Sequence, residues 1–563
     1  MQRQLQVGGG RHAHFGPAEH APSTSSAQQP FAFGMALADD AGMRSSGSAS
    51  VVASAETASG PRINRGAITA SIMLATFMQG VDTTIANVAL PHMQGSFSCS
   101  QDQIAWVVTS YIVAAAIMTP LTGWLAGRFG IKHVFLISVI GFTIASALCG
   151  AATSLFQIVL YRLLQGVTGA ALVPLSQATL LHINPPERHG KAMAVWGMGV
   201  ILGPIIGPAL GGWLTDDYSW RWVFYINLPV GILAAAGIMI FIHDTRPAQR
   251  EGFDWFGFAT LSLTIGAVQL MLDRGELKDW FGSTEIWVEA VIAALGLYLF
   301  VVHTATAGER SFLNRALLKD ANCMTGTFLM FLIGVPLYGT MTLLPTMMQS
   351  LMNYPVITAG FVTAPRGVGT MLGMILVSRL AGKLDVRLII FTGMMVTAMA
   401  LWQMTGFSLQ MGMWPFITTG VLQGFGLGFV FTQLSVITFS TLPRNVLTQG
   451  TAIFSLMRNI GGSVGISIVE ALFVENTQIV HAQLAEHVRP DNPAAHHLAL
   501  PYSLTEVHGI AALNREITRQ AQMIAYIDNF YLMLIIMLVA SPFLLLLRRP
   551  RRAGEKPAAA TME

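Results

Sequence analysis

The sequence predicts an all-α, polytopic membrane protein with about fourteen transmembrane helices. Two observations carry this. Asp, Glu, Lys and Arg make up only 11% of the 563 residues and hydrophobic types make up 53%, whereas a soluble domain carries roughly 25% charged residues. Apolar runs such as 75–90, 107–125 and 391–407 approach or exceed the length that crosses a hydrocarbon slab of roughly 30 Å. A large soluble enzyme would need charged surface between its buried elements, and these runs leave no place for it.

The formal net charge of +3 is unevenly spread and bears on topology; with no basic stripe and interleaved aromatics, no nucleic-acid partner is expected. Cys99, Cys149 and Cys323 stand apart without a CxxC pair, so neither a disulfide framework nor a metal site is expected, and no cofactor.

Residues 1–62 are rich in Ser, Ala, Gly, His and Gln without periodicity, and are expected to form a disordered tail. They lack an apolar core followed by a small-residue cleavage site, so the first hydrophobic helix would serve as the insertion signal. Met35 and Met43 are alternative starts. From Gly66 onward the expected spans are 66–90, 104–126, 132–152, 156–181, 191–214, 222–242, 256–273, 286–303, 322–349, 358–382, 387–406, 414–440, 449–474 and 526–547.

An even number of spans puts both termini on one side, and Lys and Arg decide which side, because basic loops resist translocation. With the termini inside, the cytoplasmic breaks hold Arg128, Lys132, Arg188, Lys191, Arg246, Arg250, Arg310, Arg315, Lys319, Arg379, Lys383, Arg387 and Arg444. The short outer loops hold Arg221, Arg274 and Lys278, and the tail 548–563 adds Arg548, Arg549, Arg551 and Arg552 inside. One outer loop, 475–525, is long. A helical stretch in it carries Leu504, Val507, Ile510, Leu513 and Ile517, spaced three or four apart, as one apolar stripe on an otherwise polar helix, suited to packing on the bundle or to docking a periplasmic partner. Its histidines (His481, His487, His496, His497 and His508) lack a metal-ligand pattern.

An ionisable group inside a bilayer costs a few kcal/mol, so each one invites a role. Asp82 lies roughly 13 Å from the outer end of the first span and Arg162 roughly 9 Å from the outer end of the fourth, at 1.5 Å per residue. Their depths are compatible with a carboxylate–guanidinium pair that a competing proton or substrate would open. Satisfying bent backbone is the plainer role for Asp82. Arg366, Arg458 and Glu470 either line a cavity or are structural charges bonded to backbone. The run 203–212, GPIIGPALGG, strips the fifth span of side chains and lets another helix approach closely and pivot. Gly424, Gly426 and Gly428, with Gly461, Gly462 and Gly465, repeat that pattern in spans twelve and thirteen. There is no P-loop, HExxH or dinucleotide fingerprint, so energy must come from an ion gradient and no enzyme activity is expected.

These residues resemble a known family, the major facilitator superfamily, in its fourteen-helix drug:proton antiporters of the EmrB/QacA type. Residues 82–91 (DTTIANVALP) are similar to that group's first-helix motif. Residues 123–132 (GWLAGRFGIK) resemble the superfamily's loop between helices two and three, with Gly127 where the pattern usually has Asp. The run 162–166 (RLLQG) is similar to the helix-four motif, 203–212 to the helix-five antiporter motif, and 220–229 (WRWVFYINLP) to a hallmark of the fourteen-helix branch. WVVTSY at 106–111, PLTGW at 120–124 and the long loop before the last helix resemble EmrB-like pumps more than QacA.

The resemblance implies a major facilitator fold: a six-helix bundle over 63–242, two inserted helices with linkers over 243–321, and a second six-helix bundle over 322–547. It implies proton-driven efflux of small amphipathic drug-like or toxic compounds from a bacterial inner membrane, beside an EmrA-like periplasmic adaptor and an outer-membrane channel. In that reading Asp82 titrates and Arg162 is its charge partner. Asp82, Gln165, Arg366 and Arg458 line the substrate cavity. Gly203, Gly207, Pro208, Gly211 and Gly212 form the pivot, and Gly123, Arg128, Gly130 and Lys132 the inner-loop motif. A dedicated exporter of one metabolite or siderophore, an uptake symporter and a transporter-like receptor stay open.

Overall fold

The computed structural model describes residues 64–243, 252–308, 311–488, 502 and 506–548. The expected tail 1–62 lies outside them, as do Arg246, Arg250, Arg310, His496, His497, Leu504, Arg549, Arg551 and Arg552.

The long elements, in order, are α1 (Arg65–Phe97), α2 (Gln101–Met118, bent by 55° into Leu121–Phe129), α3 (Ile131–Ala151) and α4 (Leu155–Ile183). They continue as α5 (His189–Asp217), α6 (Trp222–Phe241), α7 (Trp255–Arg274), α8 (Thr284–Thr306) and α9 (Ala321–Ser350). The chain closes with α10 (Val356–Leu380), α11 (Val386–Met404), α12 (Trp414–Phe439), α13 (Leu447–Glu486) and α14 (Val507–Ala540). Twelve of these are long and apolar enough to cross a membrane, and bent α2 makes a thirteenth. The remaining one, α1, has 33 residues, about 50 Å at the helical rise; its Thr, Gln, Asn and Asp dilute its apolar content.

α1–α6 pack as one group, with α5 and α6 on α1 and with α4 on α2 and α3. α9–α14 form the other: α13 lies on α9, α12 on α10 and α11, and α14 on α11 and α13. The inserted α7 and α8 pack on each other, and α7 also touches α2 and α13, one helix from each group. Strict alternation of direction gathers Arg128, Lys132, Arg188, Lys191, Arg315, Lys319, Arg379, Lys383, Arg387 and Arg444 at one end of the molecule, the basic end.

At the basic end the two groups meet closely. A Cβ on Gly123 would stand 2.5 Å from Cγ and 2.8 Å from Cα of Gln449. The Thr451 hydroxyl donates to the Pro174 carbonyl at 3.2 Å. Trp196 of α5 stacks on Phe431 of α12, ring centroids 5.7 Å apart.

The structure corrects two boundaries. α1 does not stop at 90 but runs through Pro91 to Phe97. The expected loop 475–525 holds its expected helical stretch, but that helix, α14 from Val507, is continuous with the last span, and α13 continues to Glu486. Hydropathy reports where lipid ends, not where a helix ends. At 40 residues, α13 is about 60 Å long, roughly twice the hydrocarbon thickness. His481 hydrogen-bonds Asn514 at 3.0 Å across the two helices, whereas Val507 and Ile510 of the apolar stripe remain exposed.

α7 starts at a cap outside the span. Asp254 accepts the Gly257 and Phe312 N–H groups at 2.9 and 2.8 Å, and the His303 ring lies 2.9 Å away. Burial raises the Asp254 pKa, but the two N–H groups and the ring outweigh it and hold the carboxyl below its ordinary value. A depressed carboxylate contributes stability above its unfolded pKa, and that contribution is lost as pH falls through the lower folded value. Asp254→Asn is therefore expected to lower the melting temperature at pH 7, with the gap to wild type closing at about pH 4 and below. A gap independent of pH would show that the charge contributes nothing.

Candidate functional site

Asp82 stands in the middle of α1 and is fully buried, 0% exposed, beside Arg162 at 1%. Each of its oxygens is taken. Arg162 Nη1 donates to Oδ2 at 2.7 Å, while the amides of Gln165 and Asn227 donate to Oδ1 at 2.8 and 2.9 Å. Three donors complement an ionised carboxylate.

Arg162 and Gln165 are one turn apart on α4, so both reach the same point on α1. Gln165 is oriented by its own acceptor: its Oε1 takes a second bond from Arg162 Nη1 at 2.9 Å. The guanidinium also donates to the Val107 carbonyl of α2 at 3.3 Å and lies between the rings of Tyr111 and Phe224, 4.9 and 5.2 Å from their centroids. Asn227 of α6 donates again to Ser146 of α3 at 3.0 Å, and Ser146 donates to the Phe224 carbonyl at 2.9 Å. α1, α2, α3, α4 and α6 thus converge on one ion pair inside the first helix group.

The fifth-span glycines bear on that segment directly. A Cβ on Gly203 would stand 2.6 and 2.7 Å from the Gly80 backbone. One on Gly207 would stand 2.1 Å from the Thr84 hydroxyl, and one on Gly211 2.8 Å from Ile85. The bare face of α5 therefore lies on residues 80–85, on either side of Asp82. Pro204 touches Gly80, whereas Gly212 faces away from α1, its nearest neighbour being Ile357 at 3.9 Å.

Residues 72–466 match the family model of the Major Facilitator Superfamily. The chain is 36% identical over 496 residues to the multidrug export protein EmrB of Escherichia coli K12, covering 86% of this chain and 96% of that protein. It is 35% identical over 484 residues to EmrB of Haemophilus influenzae, covering 84% and 94%. The chain belongs to the Major Facilitator Superfamily, in its EmrB-like group. The solved structure of the proton:xylose symporter XylE superposes with a TM-score of 0.55 at 13% identity, covering 86% of this chain and 99% of that one, and shows the shared fold.

The stretches read above as superfamily motifs all lie in the first helix group. In the inner-loop motif Gly123 carries the contact on Gln449, and Gly130 turns the chain into α3 with φ of 84°. Arg128 lies over the Trp124 ring at 5.8 Å, and a Cβ at Gly127 would meet nothing within 4 Å. Lys132 begins α3 half-buried.

The other expected cavity residues separate. Asp82 and Gln165 point into the interior of the first helix group and present no exposed surface, while Arg366 and Arg458 lie in the second group. Asn227 and Ser146 received no role from the sequence. Asn227 lies within the WRWVFYINLP hallmark, and a polar residue in an otherwise apolar span was the available signal; Ser146 offered none.

Proposed function

We propose that the protein is a proton-driven exporter of amphipathic compounds in a bacterial inner membrane, with the Asp82–Arg162 pair as its proton-coupling element. The observation that carries this is the four-residue network of Asp82, Arg162, Gln165 and Asn227, with the α5 glycines packed on the same segment of α1. Protonation of Asp82 would remove its charge, weaken the charge-assisted bond from Arg162 and place an O–H donor among three groups that themselves donate to it. Any shift of residues 80–85 is transmitted to α5, because backbone touches backbone there. Export then requires the two helix groups to part at the basic end, where Gly123 meets Gln449. In this reading the protein performs no chemical step.

The basic end faces the cytoplasm, with both termini, because basic flanks resist translocation. The far end then carries the extensions of α13 and α14 into the periplasm, where an EmrA-like adaptor leading to an outer-membrane channel would meet them.

The test uses inside-out membrane vesicles with an acid interior. Addition of an amphipathic drug is expected to release lumenal protons while the drug accumulates, and collapse of the gradient is expected to stop both. Accumulation that persists without a gradient, or drug leaving the vesicles together with protons, would overturn antiport.

A further inference from the structure

Beside the Asp82–Arg162 pair, two polar side chains have buried atoms without a partner. Tyr111 of α2 is 4% exposed, and its ring covers the Arg162 guanidinium at 4.9 Å. Its hydroxyl lies about one turn nearer the basic end than the ion pair, a position fixed from two helices. On α4, a Cβ on Gly169, four residues past Gln165, would stand 3.6 Å from that hydroxyl. On α1, the side chain of Gln79, three residues before Asp82, comes to it. No hydrogen bond closes between them: Tyr111 Oη and Gln79 Oε1 are both buried and unpaired among the described residues.

A buried polar atom without a partner is costly, and few are kept in a native fold. The surroundings of Asp82 supply a reason to keep these two. Once protonated, the carboxyl carries an O–H that needs an acceptor. Arg162 has no acceptor atom to offer. Gln165 Oε1 is already taken by Arg162 Nη1 at 2.9 Å and by the Cys149 thiol at 3.6 Å. Asn227 Nδ2 serves Ser146 at 3.0 Å as well as Asp82. Turning either amide round would give up at least two bonds. The Tyr111 hydroxyl, by contrast, can accept and donate at once, and Gln79 Oε1 can take the proton it donates.

We infer that Tyr111 and Gln79 form the acceptor site for protonated Asp82. The acid donates to the Tyr111 hydroxyl, which donates to Gln79 Oε1. Arg162 keeps Gln165 Oε1, the Val107 carbonyl and the rings of Tyr111 and Phe224. Protonation thereby turns the carboxyl toward the basic end. Tyr111 and Gln79 act through Asp82 and are positioning residues, and their role rests on the reading of Asp82 as the coupling carboxylate. The charged and titratable groups around the carboxylate are Arg162 from α4, Tyr111 from α2 and, behind Gln165, Cys149 from α3. α5 presents its glycines and α6 the uncharged Asn227.

Infrared difference spectra of the full chain in nanodiscs, recorded as the pH is stepped, test this. The carboxylic C=O band of protonated Asp82 is assigned by its loss in Asp82→Asn. Tyr111→Phe leaves the ring on Arg162 and removes only the hydroxyl. It is expected to move the pH profile of the band about half to one unit to the acid side, because the protonated form loses one neutral hydrogen bond. The frequency of the band is expected to shift as well, since the O–H has lost its acceptor. Gln79→Met is expected to act in the same direction and more weakly. Both variants are expected to melt no lower than wild type, because each replaces an unpaired buried polar atom by an apolar one.

A band whose pH profile and frequency ignore Tyr111→Phe overturns the proposal and leaves the coupling reading standing. So does a shifted profile with a lower melting temperature in both variants, which would assign the two side chains to packing. Absence of an Asp82 band at every pH the fold survives would sink the coupling reading and the proposal with it.

Discussion

Asp82→Asn is expected to abolish gradient-driven export and also to lower the melting temperature of the purified protein, while Asp82→Asn combined with Arg162→Gln regains stability without regaining transport. Arg162 is 1% exposed and has Asp82 as its only charged partner among the described salt bridges. Removing one member of a buried pair leaves an uncompensated charge and costs about 3–5 kcal/mol, whereas removing both charges is close to neutral. An Asn at 82 also turns an NH2 group toward the donors Arg162, Gln165 and Asn227, where only one oxygen is left to accept. Intrinsic-fluorescence melting and cellular efflux, at matched membrane levels, would separate the two effects. Full export by Asp82→Asn would move the coupling elsewhere; a double variant no more stable than the single would show that charge balance is not what the pair provides.

Gly203→Val is expected to prevent stable assembly of the first helix group. A Cβ there meets Gly80 Cα and C at 2.7 and 2.6 Å, and both are backbone atoms that cannot rotate away. Overpacking of this kind costs about 1–3 kcal/mol even where neighbours adjust, and here two helices would have to separate beside Asp82. Gly212→Ala, at the last position of the same motif, is expected to melt like wild type, because its Cβ would meet only Ile357 at an ordinary 3.9 Å. Equal melting temperatures for Gly203→Val and wild type would show that α1 and α5 do not need this close approach.

The sequence allowed the pairing of Asp82 and Arg162 to be anticipated because depth along a helix is a matter of counting residues, and the observed 2.7 Å bond agrees with the compatible depths of roughly 13 and 9 Å. The glycine run in α5 was legible for a similar reason: absent side chains mean close approach, although not to which helix. Rotation about the helix axis is what counting does not give. Gln165 therefore turned out to face Asp82 inside one helix group rather than a shared cavity, and Asn227, 145 positions from Asp82, was seen as part of a motif without its donor role. The helical stretch from Val507 was legible from its spacing of three and four, whereas its continuity with the last span and the run of α13 to Glu486 were not, because exposed helical faces read as loop composition and helical hydrogen bonds leave no mark on hydropathy.

In the exporter reading, the inserted helix α7 is fastened to two parts of the molecule that must move apart. On one side, Asp273 accepts from Thr109 of α2, and Phe253, just before the helix, lies 4.6 Å from the Trp124 ring. On the other, Gln269 donates to Ser463 at 2.9 Å and Ser467 of α13 donates to the Leu272 carbonyl at 2.9 Å. At about 1 kcal/mol for each exchanged hydrogen bond, releasing either side takes on the order of 2 kcal/mol or less. Such a tie is too weak to hold one state permanently and strong enough to slow departure from it, so in that reading α7 would act on the turnover number and not on which compounds are carried.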